Sequence, residues 1–155
     1  MNSKVLTVSD GVIHGTREDR SGAALEERLK TAGFAVVQRH VVEDGVESVA
    51  DALHWMTTGF AGLVVTTGGT GFGPRDLTPE GTRRVLHREA PGLAEAMRLV
   101  NPLGRLSRGV AGTVGQVLVL NTPGSPKGAV ECLEAVLDVL PHALALLEGT
   151  PTDHG

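Results

Sequence analysis

The chain alternates between short apolar runs and longer segments in which apolar residues recur at helical spacing. The first apolar run, Val5 to Val8, is followed by Leu25 and Leu29 on one face of a helix that ends before Gly33. The same pattern predicts strands at Val5–Val8, Phe34–Val42, Ala61–Thr66 and Val117–Leu120. Strands that alternate with helices through short connections indicate an α/β fold, a three-layer α/β/α arrangement with a mostly parallel open sheet.

Proline marks several of the predicted helix ends. Helices are predicted at Leu25–Ala32, Val46–Met56, Thr78–Leu86, Leu93–Val100, Pro126–Leu140 and His142–Leu147. Thr78 offers an N-cap hydroxyl before Pro79, and Ser125 offers the same before Pro126, because proline is favoured at the first helical position. Pro141 is expected to break the long helix that precedes it.

Length and composition favour one domain. The chain has 155 residues, of which 41% are hydrophobic, and this is sufficient to bury a core without disulfides or metal. We expect a single domain over residues 1–149 and a flexible C-terminal tail at 150–155. No run approaches the ~18 apolar residues of a membrane span, and the first residues enter a strand rather than a signal peptide. The sequence therefore predicts a cytoplasmic protein with no membrane contact.

Charge and rare residues exclude several classes of function. A net charge of −4 and an aromatic content of 3% argue against nucleic-acid binding, which relies on basic surfaces and stacking platforms. Cys132 is the single cysteine and lies in an apolar pattern, so packing is favoured over catalysis. The six histidines show no spacing suited to zinc, and no nucleophile-elbow serine accompanies them.

A glycine-rich loop follows the predicted central strand. Its residues are Thr66, Thr67, Gly68, Gly69, Thr70 and Gly71. A tight turn that needs positive φ angles would explain a Gly-Gly pair alone. The interleaved threonines instead favour an anion site at the carboxyl end of the sheet, where open α/β folds place ligands. The loop matches neither the phosphate-loop nor the dinucleotide fingerprint.

A second loop of similar character follows the strand at Val117–Leu120. It comprises Asn121, Thr122, Pro123, Gly124, Ser125, Pro126 and Lys127. Free amides at a helix start, the Ser125 hydroxyl and the Lys127 charge would suit a phosphate or carboxylate. Taken alone, the loop is equally well explained as a capped connection with a solvated lysine. Two such loops at parallel strand ends favour one shared site.

Three carboxylates recur at the same edge of the predicted sheet. Asp10 ends the first strand, Asp44 follows the second, and Asp76 lies beyond the glycine-rich loop. Each alone is more often a loop or cap residue than a metal ligand. Their convergence predicts a magnesium site, because Mg²⁺ prefers one or two carboxylates together with water and substrate phosphates.

These segments together resemble the molybdenum-cofactor biosynthesis proteins of the MogA/MoaB type, which are related to the gephyrin G domain. The segments that carry the resemblance are Thr7 to Asp10, Asp19 to Gly22, Thr66 to Gly71, Pro74 to Asp76, Pro91 to Leu93, Met97-Arg98, Leu106 to Arg108 and Asn121 to Lys127. They occur in order, and the resemblance covers the chain from Val5 to Leu147.

The resemblance implies a homotrimeric, molybdopterin-binding α/β protein. Its active relatives transfer AMP from magnesium-ATP to the terminal phosphate of the pterin and release pyrophosphate. Molybdate insertion then follows on another protein or domain, which makes a molybdate-insertion protein a candidate partner. By matching motifs, Asp44 and Asp76 would be the catalytic acids and magnesium ligands. The implied substrate-binding residues are Ser9, Asp10, Thr66, Thr67, Gly68, Gly69, Thr70, Gly71, Ser107, Asn121, Pro123, Gly124, Ser125 and Lys127.

The sequence departs from its relatives at a few positions and leaves two alternatives open. Gly11 stands where many relatives carry arginine, Ala23 replaces a frequent proline, and Thr122 replaces a frequent leucine. Of these, Gly11 is the one expected to touch substrate binding. One alternative is a non-catalytic molybdopterin-binding carrier or assembly protein, although retention of Asp44 and Asp76 favours the enzyme. The other is a nucleotide-processing hydrolase on the same fold.

Overall fold

One mixed sheet organises the computed structural model, which describes residues 1–149. In chain order its strands are β1 (Asn2–Val8), β2 (Ala35–Val42), β3 (Gly62–Thr67), β4 (Arg88–Glu89), β5 (Ala111–Val114) and β6 (Val117–Thr122). They lie side by side in the order β2-β1-β3-β6-β5-β4. The first four strands in this order are mutually parallel, and β5 and β4 join antiparallel. The predicted mostly parallel open sheet is confirmed.

Helices cover both faces of this sheet. They are α1 (Asp10–Ile13), α2 (Arg20–Thr31), α3 (Val46–Thr57), α4 (Thr78–Val85), α5 (Pro91–Leu99), a 3₁₀ helix (Pro102–Leu106), α6 (Pro126–Glu134) and α7 (Leu140–Leu147). None of the helices within residues 1–149 is both long and apolar enough to cross a bilayer.

Strand β3 shows why the fold has three layers. All its residues are buried, and successive side chains point to opposite faces of the sheet. Leu63 and Val65 pack in a core with α2, α5, α6 and α7, whereas Val64 packs in a second core with α3. Each fully buried Leu or Val contributes about 1.5 to 3 kcal/mol relative to an exposed one, so both cores fix the sheet that carries the site.

Several local predictions need correction. Thr78 is the first residue of α4 rather than its N-cap, which is Leu77, and the Thr78 hydroxyl donates to the Gly68 carbonyl at 2.9 Å. The helix predicted at Pro126–Leu140 is interrupted by turns at 135–139, before Pro141, which lies in the first turn of α7. Helix α1, strands β4 and β5 and the 3₁₀ helix were not predicted. The tail predicted at 150–155 lies outside the described residues.

Candidate functional site

A cleft of about 1160 Å³ opens at the carboxyl ends of β1, β3 and β6. Both loops singled out in the sequence line it, as parallel strands require when they end at one edge of a sheet. The predicted residues that line the cleft are Ser9, Asp44, Thr67, Gly68, Gly69, Thr70, Gly71, Asp76, Ser107, Asn121, Pro123, Gly124, Ser125 and Lys127. Asp10 and Thr66 do not line it. Most of the predicted residues therefore form one continuous surface.

The glycine-rich loop is shaped by two close approaches. Gly68 has φ +100°, and a Cβ there would lie 2.2 Å from the carbonyl oxygen of Val8. Gly69 has φ +68°, and a Cβ there would lie 2.2 Å from the Thr78 hydroxyl. Both positions therefore require glycine. The tight turn considered from the sequence is real, and it brings the loop against β1.

This turn also leaves backbone donors available. The N–H groups of Gly69, Thr70 and Gly71 donate no hydrogen bond within residues 1–149. The amides of Gly124 and Ser125 are equally unengaged there, and Ser125 caps α6 by accepting from the Gly128 N–H at 3.1 Å. Both loops thus present free amide donors, the arrangement that binds phosphate oxygens.

The threonine hydroxyls of the two loops mainly form hydrogen bonds between the loops. The Thr67 hydroxyl donates to the Pro123 carbonyl at 2.7 Å, and Thr122 donates to the Thr66 carbonyl at 2.8 Å. The Thr66 hydroxyl accepts from the side-chain amide of Asn121 at 2.9 Å and is fully buried. These bonds hold the loops in register and leave the backbone amides, rather than these hydroxyls, to face a ligand.

Asp44 is held by two reciprocal hydrogen bonds with Asp10. Its Oδ2 accepts from the Asp10 N–H at 3.0 Å, and its own N–H donates to Asp10 Oδ1 at 3.1 Å. Its Oδ1 accepts no hydrogen bond within the described part of the chain and lies 3.2 Å from the Cβ position of Gly69. One carboxylate oxygen is therefore fixed, and the other faces the glycine-rich loop.

Asp76 lies beside the end of the same loop, with its Oδ2 3.0 Å from the Cβ position of Gly71. Its Oδ2 accepts from the Gly73 N–H at 2.9 Å, and its main-chain carbonyl accepts from the Arg108 guanidinium. Arg108 also donates from Nε to the Gly71 carbonyl at 2.8 Å and forms an ion pair with Glu80. Arg108 does not line the cleft, so its hydrogen bonds support the loop from outside the cleft.

The electrostatics around Asp44 favour a cation. Burial raises the pKa of Asp44, and the nearby carboxylates of Asp10 and Asp76 raise it further. A cation between Asp44 and Asp76 would relieve this repulsion. Within residues 1–149 no group of three or more His, Cys, Asp or Glu side chains could hold a metal alone. The two carboxylates could hold a divalent cation only together with further ligands, such as water or phosphate oxygens.

Another wall of the cleft combines a predicted helix with a segment that was not predicted. It comes from α5 and the 3₁₀ helix and presents apolar side chains, among them Met97, Val100, Leu103 and Leu106. Leu103 is 71% exposed and Leu106 is 54% exposed. The helix predicted at Leu93–Val100 corresponds to α5, whereas the 3₁₀ helix is too short to carry a periodic signal and only Pro102 could have indicated it.

Cys132 also lines the cleft but is not a nucleophile. Its thiol donates to the Met97 carbonyl at 3.4 Å, and it packs at the edge of the larger core. Burial raises the pKa of Cys132 to about 11, so the thiol stays protonated near neutral pH.

Several known proteins are similar to this chain in sequence and fold. Residues 4–142 match a family described as a probable molybdopterin binding domain. The chain is 39% identical over 152 residues to a molybdopterin adenylyltransferase of Helicobacter pylori, covering 94% of this chain and 86% of that protein. It is 49% identical to the molybdopterin biosynthesis enzyme MoaB of Thermus thermophilus, with a TM-score of 0.90 and coverage of 98% and 99%. It spans 25% of the molybdenum cofactor synthesis protein cinnamon of Drosophila melanogaster, at 37% identity over 92% of this chain.

Proposed function

The chain belongs to the molybdopterin-binding domain family, and from that premise we propose that it transfers an adenylyl group from ATP to molybdopterin. One observation carries the proposal: Asp44 and Asp76 line the same cleft as two loops with unengaged backbone amides. A phosphoryl-type transfer between two anions needs this combination, because both phosphates must be brought together and their charge neutralised. The H. pylori relative bears the name of this activity.

In the proposed reaction, a terminal phosphate oxygen of molybdopterin attacks the α-phosphorus of ATP. The new phosphorus–oxygen bond forms as the bond to the β-phosphate oxygen breaks, and pyrophosphate leaves. The amides of Gly69, Thr70 and Gly71 orient one phosphate, and those of Gly124 and Ser125 orient the other. Fixed donors of this kind stabilise developing charge without reorganisation.

Asp44 and Asp76 are the residues that would hold Mg²⁺. When bound, the ion would neutralise phosphate charge and favour the departure of pyrophosphate. The free Oδ1 of Asp44 and the Oδ1 of Asp76, which accepts no hydrogen bond within residues 1–149, are the oxygens available for it. Asp10 is engaged with Arg75 and is assigned to support rather than to the metal.

Pyrophosphate release separates this proposal from its alternatives. With ATP and Mg²⁺, we expect release only when molybdopterin is added, in proportion to adenylylated product. A hydrolase on the same fold would consume ATP without the pterin. A non-catalytic carrier would bind the pterin and release no pyrophosphate. Either of these two results would contradict the proposed activity.

Lys127 is a proposed substrate contact at the exposed start of α6. Its side chain is 86% exposed, and its Nζ lies 3.8 Å from Glu131. We expect Lys127→Ala to weaken molybdopterin binding by about 1 kcal/mol, the upper range for an exposed charge pair. The loss should shrink as salt rises, because salt screens exposed charges. Titration calorimetry at two salt concentrations checks this, and equal affinities for both proteins would remove Lys127 from the site.

Other features implied by the resemblance remain predictions. We propose that the chain assembles as a homotrimer and passes its product to a molybdate-insertion protein. The cytoplasmic location stays an expectation from the sequence.

A further inference from the structure

We propose that Arg75 is a positioning residue that sets the direction of the Asp44 carboxylate through Asp10. The inference rests on the adenylyl transfer proposed above. Arg75 does not line the cleft, and its side chain is 61% exposed. Any effect of Arg75 on turnover must therefore pass through residues that do line it.

Arg75 donates hydrogen bonds to two residues, Asp10 and Asp44, and we call this arrangement the clamp. Its Nε donates to Asp10 Oδ2 at 2.6 Å, and its Nη2 donates to Asp10 Oδ1 at 3.1 Å. The same Nη2 donates to the main-chain carbonyl of Asp44 at 3.0 Å. A bidentate guanidinium–carboxylate pair fixes orientation as well as distance. Arg75 therefore holds both residues that form the reciprocal Asp10–Asp44 hydrogen bonds.

This clamp determines which oxygen of Asp44 is free. Asp10 accepts from the Asp44 N–H and donates its own N–H to Asp44 Oδ2. The carboxylate of Asp44 can then turn only its Oδ1 towards the glycine-rich loop. Arg75 holds the side chain of Asp10 and the main chain of Asp44, so its loss would let the Asp44 backbone shift relative to the Asp10 N–H that fixes Oδ2. The Asp44 side chain could then rotate and exchange its two oxygens between the two environments. Small displacements of a catalytic group cost substantial rate, because productive geometry is narrow.

An ordinary surface ion pair would contribute little, since exposed pairs are worth at most about 1 kcal/mol. Arg83 provides a comparison of that kind. Its side chain is 54% exposed, and its Nε lies 3.0 Å from Glu89 Oε1, but neither residue lines the cleft. Arg83→Gln is therefore a matched control for Arg75→Gln, with similar exposure and the same chemical change.

We expect Arg75→Gln to lower kcat for adenylyl transfer by about tenfold. The KM and the calorimetric Kd for molybdopterin should stay within about twofold, since Arg75 touches no ligand. Arg83→Gln should leave all three unchanged. In an Asp44→Asn background, Arg75→Gln should lower kcat no further, because residues that act through one group are non-additive. A purely structural role would instead lower kcat equally in both backgrounds.

Amide hydrogen exchange tests the same contacts without catalysis. The N–H groups of Asp10 and Asp44 should exchange at least about fivefold faster in Arg75→Gln than in wild type or Arg83→Gln, because their acceptors are loosened. This outcome supports the clamp even if wild type transfers no adenylyl group, which would refute only the proposed function. Unchanged exchange of both amides, or an equal loss of kcat in the Asp44→Asn background, would overturn the positioning role.

Discussion

Replacing Asp76 with asparagine is expected to slow adenylyl transfer by at least about a hundredfold, the loss typical of removing one preorganised electrostatic group. Asparagine keeps the shape of the side chain and an oxygen that can accept from the Gly73 N–H, as Asp76 Oδ2 does at 2.9 Å. It removes the negative charge whose proximity helps to raise the pKa of Asp44. The chemical step should suffer while the fold and the pterin contacts persist, so molybdopterin affinity should stay within about twofold.

Pyrophosphate release and titration calorimetry measure the two quantities separately. Asp51→Asn, at an exposed carboxylate on α3 that does not line the cleft, makes the same chemical change as a control. Near-normal turnover by the Asp76 variant would remove the assigned role. A large loss of molybdopterin affinity would instead identify Asp76 as a ground-state binding residue.

The parallel part of the sheet could be predicted because its strands are apolar runs. Leu63, Val64 and Val65 are buried on both faces of the sheet. An apolar run of this kind predicts a strand from the sequence alone, without knowledge of the neighbouring strands. Strand β4 is different, since it consists of Arg88 and Glu89, both exposed. Its pairing with β5 is determined by tertiary contacts, and two polar residues carry no periodic signal.

The site could be predicted as far as sheet geometry extends. Loops that follow parallel strands meet at one edge, and this placed Thr67 to Gly71 beside Asn121 to Lys127. The supporting contacts could not be predicted from the sequence, because Arg75 and Asp10 are 65 positions apart in the chain. The resemblance also assigned Thr66 and Asp10 to the substrate, but neither residue lines the cleft. Their polar atoms serve neighbouring loops, a distinction that depends on side-chain direction rather than residue type.

Gly68→Ala is expected to lower the free energy of unfolding by about 3 kcal/mol or more, because the fold leaves no room for a Cβ at this position of the glycine-rich loop. Alanine there meets two separate penalties. The φ of +100° is unfavourable for any residue with a Cβ, and that Cβ would lie 2.2 Å from the Val8 carbonyl oxygen. Backbone of the central strands lies on both sides of the clash, because Gly68 N–H also donates to the Thr122 carbonyl at 3.1 Å. Relief would therefore require β1 to move from β3.

Gly33→Ala separates these two penalties. Gly33 has a closely similar φ of +93°, but a Cβ there would meet no heavy atom of the described chain within 4 Å. It should lose only the conformational part, about 1 to 2 kcal/mol. Urea unfolding of wild type and both variants gives the comparison, provided that the slopes with denaturant agree. The excess loss in Gly68→Ala over Gly33→Ala measures the contact with Val8. Equal losses would show that β1 and the glycine-rich loop separate readily, and the fixed amide cradle inferred at Gly69 to Gly71 would then lack its rigid support.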